Sequence, residues 1–171
     1  MDKKSTPAVI QFLTTFELFE PLNPRHSLLG GRTNGVRLYS EAHEGEEILR
    51  YVDINSLYPQ VNKNKTYPVG HPHILANPEN QDIHSYFEIA KVKILAPANL
   101  YHLVLSKTIN NKLMFPLRGK CVVEQMEKPW LKRTEICTHT EQERCMIGTW
   151  CTPELQKAVE LGYQVKKIYE V

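Results

Sequence analysis

Long apolar runs are missing from this sequence: no segment approaches the roughly 18 apolar residues that a membrane-spanning helix needs. The N-terminus shows no apolar stretch followed by a small-residue cleavage site, so a secretory leader is not expected. Cysteines are few, and none of the four forms a Cys-x-x-Cys pair, so a disulfide framework is not expected either. These absences predict a soluble intracellular protein without a membrane partner, and they leave nucleus and cytoplasm equally open.

An excess of one charge is missing as well. Twenty-one basic residues stand against 19 acidic ones, which gives a net charge of +2. A strongly basic face is the usual mark of a nucleic-acid-binding domain, so charge alone does not indicate one here. The 171 residues, 42% of them apolar, suffice for one ordinary core and a small satellite lobe.

The first half of the chain predicts two helices and two strands. Residues 7–19 read as a helix, because Pro7 suits a first helical position and apolar residues recur on one face. Alternating apolar residues predict strands over Val36–Tyr39 and Ile48–Val52. A short helix through Val61 then starts at Asn55 or Ser56, and residues 67–80 read as a loop rich in proline, histidine and asparagine.

The second half predicts further strands and one well-marked helix. Alternation predicts strands over three segments: Ala90–Ile94, Tyr101–Leu105 and Lys112–Leu117. The last two segments would pair across a turn at Asn110-Asn111. A helix capped by Thr152 and closed by Gly162 precedes a strand over 164–171, whereas 118–146 shows no clear period. Strands and helices out of strict alternation predict an α+β domain.

The segment Tyr51–Pro59 carries the clearest chemical signal. Asp53 directly follows a predicted strand, where a carboxylate can reach Mg²⁺, an ion that binds oxygen ligands. The helix that starts at Ser56 presents N-terminal amides that favour an anion such as a triphosphate. Tyr58 would stack against a sugar. These features together suit phosphoryl transfer, although an Asp before a helix is often only a capping residue.

The spelling Asp53-x-x-Ser-Leu-Tyr-Pro59 resembles motif A of family B DNA polymerases. Four other stretches resemble the protein-primed branch, especially the polymerases of Polinton-type transposons and related viruses: Phe19–Arg25, Gly30–Asn34, Tyr67–Pro72 and Gly148–Trp150. The resemblance spans nearly the whole chain. It implies a DNA-directed DNA polymerase, a nucleotidyltransferase of DNA replication whose substrates are a template-primer and dNTPs and which uses a terminal protein as primer.

The resemblance also implies roles for single residues. Asp53 would be a catalytic residue and a ligand of Mg²⁺ or Mn²⁺, and Ser56, Leu57 and Tyr58 would bind the incoming nucleotide, with Tyr58 excluding a 2′-hydroxyl. Gly30, Gly31 and Arg32 would contact DNA, since the glycine pair matches a motif that tracks the template strand. Leu28 stands where that motif has an aromatic residue.

By the same resemblance, the chain divides into four parts and lacks others. Residues 1–29 would be a lead-in helix and linker, 30–71 and 148–171 parts of the palm, and 72–147 an insertion like the terminal-protein region. The basic side chains of the insertion have two alternative roles: they contact phosphates, or they only form a solvated surface. The fingers lysine helix and the motif that supplies a second palm aspartate do not occur in this sequence. The expectation is therefore a partial palm that is inactive by itself.

Cys121, Cys137 and His139 suggest a possible decayed zinc site. Structural zinc takes four ligands, often from two short-spaced pairs, and related transposon polymerases carry a Cys-x-x-Cys where this chain has Arg118-x-x-Cys121. Cys145 or His102 would have to replace the missing ligand. The expectation is that the three residues lie close together but bind zinc weakly or not at all.

Two other functions stay open at this point. The chain could be a non-catalytic nucleic-acid-binding or interaction module derived from such a polymerase. It could also be a small zinc-binding domain unrelated to replication.

Overall fold

The computed structural model describes residues 20–33, 35–43, 45–132 and 136–171. Within them, helices and antiparallel strands combine as the α+β class predicts. The helix predicted over 7–19 lies outside the described residues. None of the described helices is long and apolar enough to cross a membrane.

A three-stranded antiparallel sheet organises the core. Its members are β1 (Ile89–Leu95), β4 (Met146–Cys151) and β5 (Gln164–Glu170), in the order β4-β1-β5. On one edge of β1, Ala90 pairs with Trp150 and Val92 with Gly148. On its other edge, Val92 pairs with Ile168. The predicted strand over 90–94 is thus confirmed, and it lies at the centre of the sheet.

The helix after β4 covers the buried face of this sheet. Helix α4 (Thr152–Glu160) buries Leu155 and Ala158 completely, and Gly162 follows it with a φ of 92°. Such a positive φ suits glycine after a helix C-terminus. The predicted helix and the strand after it are therefore confirmed. The Thr152 hydroxyl is not the cap, because it accepts a hydrogen bond from the Glu88 amide at 2.8 Å.

A tight hairpin precedes β4. Strands β2 (Lys107–Ile109) and β3 (Lys112–Met114) pair across Asn110-Asn111, whose φ angles are 50° and 59°. Left-handed backbone at both turn residues is the geometry that matches the twist of a two-residue hairpin. The turn was predicted correctly, but the strand over 101–105 was wrong. A two-residue turn pairs the residues next to it, which places β2 beyond Leu105.

Two helices occur where the sequence shows no clear period. Helix α2 spans Gly119–Glu127 and helix α3 spans Glu141–Arg144. Neither helix contains a fully buried residue, and α3 has only four residues, too few to show a helical period. A capping box between Thr140 and Glu143 fixes the start of α3.

The strands predicted over Val36–Tyr39 and Ile48–Val52 were wrong. Both segments are irregular chain, and their apolar side chains are exposed, most of all Leu38 and Tyr51. A strand needs a neighbour for its backbone groups, and no described segment pairs with either one. Helix α1 (Leu57–Asn64) follows, as predicted, and residues 67–80 form the predicted loop apart from a bridge of Ala76 to Glu170.

One sheet spans the proposed boundary between insertion and palm. Strand β1 belongs to the predicted insertion, β5 to the predicted palm return, and β4 contains the boundary at 147. The two segments therefore share a core in this fold. The four-part division remains a prediction about resemblance to a polymerase.

The indole of Trp150 generates a stability prediction. Its Nε1 donates to the Ser106 carbonyl at 2.7 Å, and both residues are buried. We expect Trp150→Phe to lower the free energy of unfolding by about 2 kcal/mol, because the carbonyl is left buried without its donor. Urea unfolding followed by circular dichroism measures this. The exposed Tyr67→Phe should change stability by less than about 0.5 kcal/mol, and equal losses in the two variants would contradict the assignment.

Candidate functional site

The segment Asp53–Tyr58 is displayed on the surface. Asp53 is exposed in irregular chain, and Tyr58, 84% exposed, lies in the first turn of α1. The carboxylate is solvent-accessible as the metal-ligand role requires, but it does not end a strand. The predicted position at a sheet rim was therefore wrong, for want of a pairing neighbour.

The start of α1 leaves amide donors available. Ser56 adopts a left-handed conformation with φ 55° and ψ 36°, and its side chain makes no capping hydrogen bond. The first helical hydrogen bond runs from the Gln60 amide to the Ser56 carbonyl at 3.0 Å. The amides of Leu57 and Tyr58 precede it, and such N-terminal amides attract anions. A left-handed serine is uncommon and costs about 1–2 kcal/mol, which is typical of functional turns.

Asp53 fits only part of a divalent-metal site. Among the described residues, it belongs to no group of three or more potential metal ligands. Mg²⁺ usually takes one or two carboxylates and completes its shell with water and substrate phosphates. Asp53 therefore suits one position in the coordination shell of such an ion, and the remaining ligands have to come from elsewhere.

The segment Gly30–Arg32 is also exposed. Arg32 is held in place, with Cζ 4.8 Å from the Phe115 ring centre and Nη1 3.3 Å from His102 Nδ1. Neither glycine has a positive φ, and a Cβ at Gly31 would meet nothing within 4 Å. The fold itself therefore does not require glycine at residue 31. Leu28 nearby is 72% exposed.

A groove of about 350 Å³ lies beside β4 and was not foreseen from the sequence. Its lining includes four basic side chains: Arg25, His26, Lys91 and Lys107. Burial lowers the pKa of Lys107, whose Nζ donates to the Ile147 carbonyl at 2.9 Å. Lys91 Nζ donates to the Glu20 carbonyl. The basic residues come from three distant parts of the chain, so no local pattern could have revealed the groove.

The predicted cluster of Cys121, Cys137 and His139 is assembled. Cys121 Sγ lies 3.2 Å from Cys137 Sγ and 3.2 Å from His139 Nδ1, and Cys137 Sγ lies 3.6 Å from that nitrogen. Helix α2 supplies Cys121, and the segment before α3 supplies the other two. All three residues are half-buried. Their predicted proximity is confirmed.

The neighbours of this cluster were not foreseen from the sequence. Glu124, one turn after Cys121 on α2, places Oε2 3.1 Å from His139 Nε2. Lys120 lies 2.5 Å from Glu143 Oε1 and so joins α2 to α3. Spacing of i and i+3 on a helix is the signal that would have pointed to Glu124, once Cys121 was assigned to a helix.

The two thiols and the imidazole shift the pKa values of one another. The Cys121 thiol donates a hydrogen bond to Cys137, which is the main reason that the pKa of Cys137 falls to about 7. Burial raises the pKa of Cys121, followed by the effect of Cys137. Contact with Cys137 raises the pKa of His139, and Glu124 adds to this.

Neither replacement ligand weighed from the sequence joins the cluster. Cys145 Sγ donates instead to the Glu141 carbonyl at 3.3 Å, and His102 lies beside Arg32. Within the described part of the chain, the three-residue group is the only such cluster. Lys128 and Lys132, two basic residues of the predicted insertion, are exposed, which phosphate contact and a solvated face both require.

Comparison with known proteins gives one family. The family described as DNA polymerase type B, organellar and viral, matches residues 23–171, which include the Asp53–Pro59 segment and the cysteine–histidine cluster. No significant match came from curated proteins or from solved structures.

The contact between α2 and α3 yields a pH prediction. The hydrogen bond from Lys120, assisted by Thr140, lowers the pKa of Glu143 from 4.5 to about 2. A carboxylate whose pKa falls on folding stabilises the fold above its unfolded pKa, and that contribution is lost as the pH drops through the folded value. We expect the stability advantage over Glu143→Gln to disappear between about pH 4.5 and 2.

Thermal unfolding across this pH range measures the effect. Gln at this position keeps the capping box, so the comparison isolates the charge. Glu127→Gln, which removes an exposed carboxylate of α2 that makes no ion pair in the described structure, is the matched control for the loss of one negative charge. A difference between natural chain and Glu143→Gln that stays constant with pH would contradict the ion-pair assignment.

Proposed function

The chain belongs to the organellar and viral type B DNA polymerases, and we propose that it forms the part of the palm that presents the first metal-binding aspartate. The family implies a DNA template-primer and nucleotides as substrates and dependence on a divalent metal ion. The observation that carries the palm role is the exposed Asp53 four residues before the uncapped start of α1.

Each residue of this segment has a proposed task. Asp53 holds one of the Mg²⁺ or Mn²⁺ ions, and a bound ion neutralises phosphate charge during nucleotidyl transfer. The amides of Leu57 and Tyr58, with Ser56 beside them, receive the triphosphate of the incoming nucleotide. The exposed ring of Tyr58 lies under the deoxyribose and leaves no room for a 2′-hydroxyl.

The protein-primed branch is the finer proposal. It is supported by the four stretches of sequence that resemble Polinton-type polymerases, and it implies a terminal protein as primer. Residues 72–147 would then contact that primer and duplex DNA, and the exposed Arg25 at the groove beside β4 offers a cationic side chain for a phosphate.

The exposed apolar residues before Asp53 fit the same proposal. Seven large apolar side chains over 36–52 are at least 63% exposed: Val36, Leu38, Tyr39, Ile48, Leu49, Tyr51 and Val52. So many exposed large apolar side chains in two short segments support an interaction site. We assign it to pairing with further palm strands, in which these segments would adopt the extended conformation that their alternation favours.

A non-catalytic nucleic-acid-binding or interaction module is the second candidate. One observation favours it: Asp53 belongs to no group of three or more potential metal ligands among the described residues. A zinc domain unrelated to replication does not agree with the family membership. The two remaining candidates differ in whether Asp53 supports catalysis.

We expect the chain by itself to show no primer extension with Mg²⁺ or Mn²⁺. A single aspartate leaves the phosphate charges poorly neutralised in the transition state. A labelled primer-extension assay tests this, with Asp53→Ala and the exposed Glu79→Ala as a matched pair. Extension that survives Glu79→Ala but not Asp53→Ala would show that the 171 residues already form a catalytic centre.

DNA binding is the test of Gly30–Arg32. We expect Gly31→Ala to keep the stability of the fold, because its Cβ meets no atom within 4 Å, and to weaken template-primer binding. A methyl group there holds a phosphate away from the backbone, and one such hydrogen bond is worth about 1 kcal/mol, or about fivefold in affinity.

Fluorescence anisotropy with a labelled template-primer at fixed salt measures the affinity. Gly35→Ala is the control, since its Cβ would make only an ordinary contact at 3.4 Å with the Arg37 carbonyl. Equal affinity of Gly31→Ala and the natural chain would remove Gly31 from the DNA-binding surface.

A further inference from the structure

The sequence suggests a decayed site, but the assembled side chains point the other way. We propose that Cys121, Cys137 and His139 bind one zinc ion through three protein ligands, with solvent at the fourth position. Zinc bonds of about 2.3 Å to sulfur and 2.0–2.1 Å to nitrogen place tetrahedral donors about 3.8 Å (S to S) and 3.6 Å (S to N) apart. The Cys137–His139 separation of 3.6 Å matches, and the two separations of 3.2 Å from Cys121 require the Cys121 sulfur to move outward by about 0.5 Å.

The histidine is oriented as a metal ligand is. Its Nδ1 faces the two sulfurs while its Nε2 lies 3.1 Å from Glu124 Oε2. A proton on Nε2 satisfies the carboxylate and leaves the Nδ1 lone pair directed at the sulfurs. Pairing of the second ring nitrogen with a carboxylate is the usual outer-shell arrangement of zinc-bound histidine. If the two thiols and the imidazole were held together by hydrogen bonds alone, the contact between Glu124 and the second ring nitrogen would have no role.

Arg118 lies next to the cluster and interacts with both thiols. It stands at the N-cap of α2, where the related transposon polymerases carry a cysteine, and its Nε is buried without a hydrogen-bond partner among the described residues. Two thiolates offset both charges of Zn²⁺, so the guanidinium faces a neutral unit instead of a bare cation. A water or hydroxide as the fourth ligand gives the guanidinium an acceptor, and three protein ligands with solvent are an established zinc arrangement.

The ion would fasten two parts of the fold. Cys121 lies on α2, and Cys137 with His139 lies just before α3, so the site closes the chain between residues 121 and 137. The Lys120–Glu143 ion pair joins the same two helices from the outside. Zinc that binds only the folded chain would raise the free energy of unfolding, and tighter binding would raise it further.

Zinc competition against a chromophoric chelator, on the full chain kept reduced by a phosphine, tests the proposal. We expect one zinc per chain in the natural protein and in the control Cys145→Ser/Cys151→Ser. We expect none in Cys121→Ser/Cys137→Ser. Glu124→Ala should bind about 10–100-fold more weakly, the usual cost of losing an outer-shell partner, while Glu127→Ala should not.

A Co²⁺ spectrum of the natural chain adds a test that needs no variant to fold. Thiolate-to-cobalt charge transfer with tetrahedral d–d bands supports the site, and an octahedral spectrum overturns it. Zinc retained by Cys121→Ser/Cys137→Ser, or bound by Arg118→Cys but not by the natural chain, also overturns it. So does a Cys121–Cys137 disulfide in the unreduced protein if the reduced protein binds no zinc.

Discussion

The described fold depends on the double pairing of β1. Its two edges are hydrogen-bonded to β4 and β5, so Ala90, Val92 and Ile94 are fully buried in the core. The pairing also fixes what its neighbours can be. Gly148, opposite Val92, lies against the Trp150 ring, and a Cβ there would come within 2.5 Å of the indole. A central strand with both edges used is what lets α4 and the hairpin pack around a single core.

Sequence reasoning succeeded where local chemistry decides the structure. The Asn110-Asn111 turn requires two left-handed residues, which asparagine tolerates, and the helix before Gly162 ends where a positive φ is needed. It failed where pairing decides. Tyr101–Leu105 alternates and buries Leu105, yet forms no strand, because the turn selects Lys107–Ile109 as the partner of β3. Alternating apolar residues show that a segment can form a strand, but whether it does depends on a neighbouring segment that pairs with it.

The same distinction between local chemistry and strand pairing applies to the two candidate sites. The cysteine–histidine cluster could be predicted from residue type, because soft ligands with one tight pair already suggest proximity, but Glu124 became visible only with helix α2. Asp53 and Tyr58 could be predicted to be exposed from the motif. The absence of a strand before Asp53 could not be predicted, because Ile48–Val52 has a strand-forming sequence. It has no pairing partner in the described part of the chain.

This contrast separates the two candidate sites by what each needs in order to work. The cluster is self-contained: α2 packs against both α3 and β4, and the donor atoms of the three side chains already lie within 3.6 Å of one another. The Asp53 segment is not, because the backbone that should hold its carboxylate has neither ladder nor buried face. Catalytic groups must be fixed within a fraction of an ångström to lower a barrier. Ordering of residues 48–53 by a pairing strand is thus a precondition for any catalytic use of Asp53, whereas zinc binding requires no further element.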